Sequence, residues 1–364
     1  MKISNKITAA LFSLIIFGFF ALCIFLPRED YSVSERRELA SFPEFSVENI
    51  ISGRFMAKFE EYAPDNFPFR DAFRLLKAVV SLNVFGRSDN NGIYEHNGYI
   101  TEADYPLDRD SVKRAADIFR KINEKYIANK NANVYFSVIP DKNYFLAQDA
   151  GALSYDYAEM LSLIRSETDY MKYIDIIPLL EIEDYYKTDT HWRQEKITDV
   201  AHHLAKEMGV DVTAEYEENQ LDAPFYGVYY GQYAMPAEGE TLYYLTNPVF
   251  DSCIVTDHEN GRQISVYDMK KAAGNDPYEI FLSGPLSLVT VENPNAKSEK
   301  ELVIFRDSFA CALAPLLAQG YSKITLVDIR YIQSDRVCRM VDFENADVLF
   351  IYSTMVLNNS ETFK

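Results

Sequence analysis

Two short runs of the chain hold the residue types from which a nucleophilic site is built: Thr188-Asp189-Thr190-His191-Trp192 and Arg306-Asp307-Ser308-Phe309. A serine hydroxyl attacks a carbonyl only when a base takes its proton, and histidine, with an unperturbed pKa of about 6.5, suits that task. The histidine in turn needs an acceptor on its other ring nitrogen to fix tautomer and orientation. Asp189 and His191 are two residues apart. In an extended segment their side chains project to the same side, so the carboxylate can orient the ring. Ser308 follows the apolar run Leu302–Phe305 and precedes a helical pattern, which places it at a strand-to-helix turn. There, free N–H groups and the helix dipole favour an alkoxide or oxyanion. The spacing therefore nominates Ser308 as nucleophile, His191 as base and Asp189 as orienter. Arg306, Asp307, Trp192 and Lys142 are the further candidates for contacts to substrate or oxyanion.

Each of these residues also has a plainer reading. Ser308 could be an ordinary helix N-cap, Asp189 a turn residue and His191 a surface residue in a first helical turn. Lys142, in Pro140-Asp141-Lys142 after a strand, reads more readily as a surface ion pair. Other chemistries find less support. There is no GxSxG, GxGxxG or P-loop. The remaining His96, His202, His203 and His258 supply no metal-ligand spacing, so neither a metal nor another cofactor is expected. His202 and His203 read as solvated or half-buried helix residues.

The elements that must position these residues follow a regular alternation. Helical spacing runs through Val112, Ala115, Ala116, Phe119, Ile122 and Tyr126. The near-continuous apolar run Val134–Ile139 reads as a strand covered on both faces. A helix over about 155–166, a strand over Tyr173–Ile177 and a helix near 193–208 follow. Residues 210–300 break the rhythm with Tyr-rich, β-like runs and read as an inserted β-rich section. Then come a strand at Leu302–Phe305, a helix at Phe309–Gln319, a strand at Ile324–Val327, a helix over 334–343 and a strand at Val348–Tyr352. Such alternation predicts an α/β fold, a parallel sheet with helices on both faces, whose ligands bind outside the carboxyl ends of the strands.

At the N-terminus, Lys2 and Lys6 precede the apolar run Ile7–Leu26, which Pro27 and Arg28-Glu29-Asp30 stop. Twenty helical residues at about 1.5 Å each span a hydrocarbon layer of roughly 30 Å. The run lacks a small-x-small cleavage pair at its end, so it reads as an uncleaved signal anchor with the bulk of the chain extracytoplasmic. The segments are then an anchor over 1–27, a membrane-proximal stem over 28–105 and the α/β domain over 106–364. Within the stem, helices are expected around Gly53–Tyr62 and Arg70–Leu82, and a short hairpin around Ile93-Tyr94. The 36 Lys and Arg against 55 Asp and Glu give a net charge of −19, which excludes nucleic acid as a partner. Outside the anchor, Cys253, Cys311 and Cys338 allow one bridge at most and read equally well as buried thiols.

Phe305–Phe309, with Asp189–Trp192 upstream, resembles the DHHW family of membrane-anchored bacterial proteins. That family is similar to the SGNH-hydrolase-like O-acetyltransferases of the alginate type, AlgX and AlgJ. The likeness extends to Glu35-Arg36-Arg37-Glu38-Leu39, Asp65–Arg70, Asn90–Tyr94 and Tyr352–Asn359. The permuted order, with Asp-x-His before the serine, is shared with the alginate group. Thr190 stands where the family name has its first His, and Arg306 replaces the Gly of the hydrolase Gly-Asp-Ser block. The resemblance implies an SGNH-like fold, the same triad of Ser308, His191 and Asp189, and acyl transfer to or from an exported or cell-surface polysaccharide. It also implies a membrane-bound O-acyltransferase as acetyl donor. The alternative is a non-catalytic glycan-binding or assembly scaffold of the same fold, in which Ser308 and His191 would stand apart.

Overall fold

A computed structural model describes residues 3–213 and 215–364; Lys2, part of the anchor's basic flank, lies outside the described residues. The chain divides into two compact units, residues 1–91 with 230–236 and residues 92–229 with 237–364.

The first unit starts with helix α1 (Ile3–Phe25), long and apolar enough to cross a membrane. Helices α2 (Arg54–Asp65) and α3 (Arg70–Val79) follow, joined by Phe67-Pro68-Phe69. Past Val79 the coil widens to a π-turn over Val80–Val84. Ion pairs tie the segments of this unit to one another. Arg37 grips Asp65 with two parallel bonds, at 2.8 and 2.5 Å, and Glu35 accepts from Arg37 at 3.0 Å as well as from Arg70 and Arg74. The Arg37 bonds hold the Asp65 carboxyl down at about 2.

The second unit opens on a hairpin, β1 (Ile93–His96) and β2 (Tyr99–Glu102), turned by Asn97-Gly98. Then come α4 (Arg109–Ile122), β3 (Asn133–Ile139), α5 (Lys142–Ala150), α6 (Tyr157–Glu167), β4 (Lys172–Tyr173) and α7 (Thr198–Glu207). Strands β5 (Glu217–Gln220) and β6 (Tyr243–Thr246) pair with each other. Strands β7 (Ile254–Asp257), β8 (Arg262–Ile264), β9 (Leu288–Glu292), β10 (Glu301–Arg306), helix α8 (Ala310–Leu317), β11 (Lys323–Val327) and β12 (Asp347–Ser353) complete it. Eight strands form the main sheet in the order β8-β7-β9-β11-β10-β12-β3-β4. From β11 to β4 the pairs are parallel, and β9, β7 and β8 add on antiparallel. This is the α/β arrangement with a largely parallel central sheet that the alternation predicts.

Alternation along β10 sends Leu302 and Ile304 to one face and Val303 and Phe305 to the other. The first face is covered by α7 and α8 through Val200, Leu204, Leu313 and Leu316, the second by α4 and α6 through Val112, Phe119, Met160 and Ile164. Burial on both faces explains why these strands read as unbroken apolar runs. The cysteines are free thiols, and Cys311 and Cys338 belong to cores on opposite faces of the sheet.

Three elements are shorter than their patterns suggest. The strand expected over Tyr173–Ile177 ends at Tyr173, because the Asp175 carboxylate accepts from the Ile177 N–H and bends the chain. The helix near 193–208 starts only at Thr198, after a 3-10 turn at Gln194–Lys196. The helix over 334–343 stops at Val337, where the chain turns and Phe343 comes to stack on Phe305.

Candidate active site

The carboxyl ends of the neighbouring strands β10, β12 and β3 carry Asp307-Ser308, Thr354 and Asp141. Asp307 ties two of these ends together. One of its oxygens accepts from the Phe309 N–H at 3.1 Å and the other from the Ser353 N–H at 2.7 Å. Between those anchors Ser308 is left half-buried at the mouth of α8, while its neighbours on both sides are buried.

Asp189 and His191 sit in a tight loop closed by the bridge between Tyr185 and Trp192, rather than in a first helical turn. His191 Nδ1 lies 2.6 Å from Asp189 Oδ1, and Nε2 lies 2.7 Å from Ser308 Oγ. A carboxylate only accepts, so Nδ1 carries the proton and donates to Asp189. Nε2 is then the acceptor for the serine hydroxyl. The structure thus brings Ser308, His191 and Asp189 into one continuous hydrogen-bonded line.

Asp189 is held by more than the imidazole. Its Oδ1 accepts from the His191 N–H at 3.1 Å and its Oδ2 from the Val228 N–H at 2.9 Å. Gly227 makes that approach possible, since a Cβ there would stand 2.2 Å from the Asp189 Cα. Glu240 fixes the segment leading in, accepting from the Lys187 and Thr188 N–H groups at 2.6 and 2.7 Å. The Tyr278 ring lies flat against the imidazole, 4.0 Å between centroids and 10° from parallel. None of these partners is signalled by local sequence. Gly227 lies in a Tyr-rich run that reads as ordinary β-structure, and Tyr278 is one of 26 tyrosines.

The four further candidates have other occupations. Trp192 is fully buried and donates its indole N–H to the Phe309 carbonyl at 3.0 Å, which leaves no open ring face for a substrate. Asp307 spends both oxygens on backbone, as above. Arg306 is fully buried, with its guanidinium on the Leu286 carbonyl at 2.9 Å and on Asp328 at 3.4 Å. Lys142 forms no surface ion pair. It is buried and donates to the carbonyls of Ile100, Tyr186 and Lys187, the last two at 2.9 Å, so its role is to hold the chain just before Asp189. Burial pushes its ammonium down to about 7 against the opposite pull of Glu240 and Asp189. The three carbonyls need three N–H donors, which the charged form alone supplies.

Solved structures share this fold. A DHHW family protein from Eubacterium siraeum matches with a TM-score of 0.60 at 20% identity, over 74% of this chain and 93% of that one. PatB1 of Bacillus cereus, in a structure with a sulfonyl adduct, matches with a TM-score of 0.59 at 19% identity, over 73% of this chain and 95% of that one. The O-acetyltransferase domain of Pseudomonas putida AlgJ matches more loosely, with a TM-score of 0.46 at 10% identity, over 73% of this chain and 92% of that one. No family model and no curated protein matches the chain.

Proposed function

We propose that the chain is an extracytoplasmic serine acyltransferase or esterase acting on O-acetyl groups of a cell-surface or exported polysaccharide. The observation that carries this reading is the unbroken line from Asp189 through His191 to Ser308, with 2.6 and 2.7 Å at its two joints. A scaffold has no need of that line, and a separated Ser308 and His191 would have favoured one.

In this mechanism His191 Nε2 takes the hydroxyl proton as Ser308 Oγ bonds to the carbonyl carbon of the acetyl donor. Asp189 stabilises the resulting imidazolium and keeps its orientation. The tetrahedral oxyanion forms at the mouth of α8, where the Ser308 N–H can donate to it. Collapse expels the donor oxygen, which takes its proton from His191, and leaves an acetyl ester on Ser308. The imidazole next deprotonates a sugar hydroxyl or a water, which attacks the ester carbonyl; collapse then breaks the bond to Ser308 Oγ, and the imidazolium returns its proton to that oxygen. Transfer and hydrolysis differ only in that acceptor.

Residues 1–27 serve here as a single-pass anchor, 28–105 as a stem and 106–364 as the acyl-transfer domain, with the section at 210–300 contributing Gly227 and Val228 to the site. A multi-span membrane acyltransferase is the partner suited to present acetyl groups outside the cytoplasm. PatB1, whose fold this chain shares, was captured with a sulfonyl adduct.

The test is incubation of the full chain and its Ser308→Ala variant with an activated acetyl ester, following leaving-group release and intact mass. Turnover or a one-acetyl mass gain in the wild type alone supports the reading. Equal background signals from two folded proteins overturn it.

A further inference from the structure

Helix α3 is amphipathic, and Arg70 and Arg74 on its polar side are half-buried. Arg70 and Arg74 reach Glu35, and Arg74 also reaches the Gly231 carbonyl, all within the first unit. The opposite side carries Phe69, Phe73 and Leu76 and continues through Val80 and Val84, a spacing that keeps one helical face. Phe69, Phe73, Leu76 and Val84 face outward, Leu76 at 55% and Val84 at 69% exposure, with Val80 half-buried among them. A water-soluble helix does the reverse.

Two contacts say what this face meets. Phe19 of α1 stacks on Phe67 at 5.3 Å and meets Phe73 edge-on at 5.7 Å. Phe19 lies six residues before the end of α1 at Phe25, about 9 Å down the helix axis. If α1 crosses a bilayer, Phe67 and Phe73 are therefore at acyl-chain depth beside it. Arg28, just past the anchor, lies over the rings of Phe42 and Tyr62 at 5.9 and 5.5 Å, an aromatic and cationic belt of the kind found at headgroup level. A cavity of about 550 Å³ opens between the two levels, lined by Leu22, Leu26 and Phe67 as well as Arg28 and Asn66, a mixture suited to an amphiphile.

We infer that the outward face of α3 is seated in the lipid leaflet on the Arg28 side of the anchor, so that phospholipid covers it. The face offers no hydrogen-bonding group along Phe69, Phe73, Leu76 and Val84, and continuity with α1 brings it into lipid without any further partner. The inference rests on reading α1 as membrane-spanning.

The experiment places a photoreactive benzoylphenylalanine in the full chain at Leu76, at mid-anchor Leu14 or at the exposed, polar Glu61, and irradiates each in the expressing cell's membranes. Phospholipid adducts at Leu76 within about threefold of the Leu14 yield, and at least tenfold above Glu61, are expected. Adducts at Leu76 to another protein or to a second copy of the chain, with lipid adducts confined to Leu14, overturn the inference and leave the anchor standing. Lipid adducts at neither Leu76 nor Leu14 overturn both.

Discussion

The two units are built on opposite plans. In the second, apolar side chains fill both faces of the sheet, and polar groups such as Asp307 and Asp141 collect at the strand ends, where backbone N–H groups and hydroxyls hold them. In the first, the ionic groups Glu35, Asp65 and Arg70 are half-buried while Phe45, Phe69 and Val84 face out. Residue types alone therefore do not say which way a surface faces; the medium does. The second unit keeps a half-buried serine at one opening of an apolar-cored sheet, whereas the first exposes apolar side chains around a network of ion pairs.

The sharpest way to test that contrast is at the serine. Ser308→Ala and His191→Gln should each lower acetyl-ester turnover at least about 10³-fold with the melting transition nearly unchanged, because the groups removed act in chemistry and not in the core. A large loss of stability would mean that the strand-end cluster is structural. Next in size is Gly227→Ala. The added methyl would strike the Asp189 backbone, and displacement by even about 1 Å should cost about 10² in turnover while the fold survives. Steady-state kinetics with circular dichroism would separate that from unfolding.

In the first unit, Glu35→Ala leaves Arg70 and Arg74 facing each other without their shared acceptor and should cost roughly 1–3 kcal/mol there. Limited proteolysis of the full chain in a membrane mimic should show earlier cleavage in residues 28–91, with turnover within about twofold of wild type. A parallel collapse of turnover would break the contrast.

The smallest effect is a difference of sign with pH. Asp65 is depressed to about 2, so its contribution is present above the ordinary value near 3.8 and is lost as pH falls through about 2. Asp104, in the second unit, is pushed up to about 7 by burial, with Asp141 nearby and one oxygen unpaired among the described residues. Its folded form holds a proton that the unfolded chain has released above about 4, so stability there falls between about pH 4 and pH 7 and is flat above. Hydrogen exchange read peptide by peptide should therefore show residues near Asp65 loosening only below about pH 4. Those near Asp104 should tighten as pH drops from about 7, and Asp104→Asn should abolish that slope.

What could be read in the sequence was what depends on neighbours in the chain. The apolar runs at Val134–Ile139 and Leu302–Phe305 announced doubly covered strands, and Asp-x-His with a serine after a strand announced the catalytic candidates. What could not be read depends on partners far along the chain. Lys142 is buried because carbonyls from Ile100, Tyr186 and Lys187 converge on it, and no local pattern reports three distant carbonyls. Arg306 looks like a site residue beside Ser308 until Asp328 is seen to claim it. The shortened helix at Ser334–Val337 is the same lesson, since Phe343 stacks on Phe305, a partner far along the chain.

Trp192 is the chain's one tryptophan, and its indole donates to the Phe309 carbonyl while its ring meets Phe309 edge-on at 5.4 Å. Intrinsic fluorescence excited at the indole band thus reports a single joint, the one between the histidine loop and the start of α8. Its emission should register occupancy of Ser308 without any added label. In a melting experiment it will follow only the second unit, so a mismatch between fluorescence and far-ultraviolet dichroism would time the two units' unfolding separately.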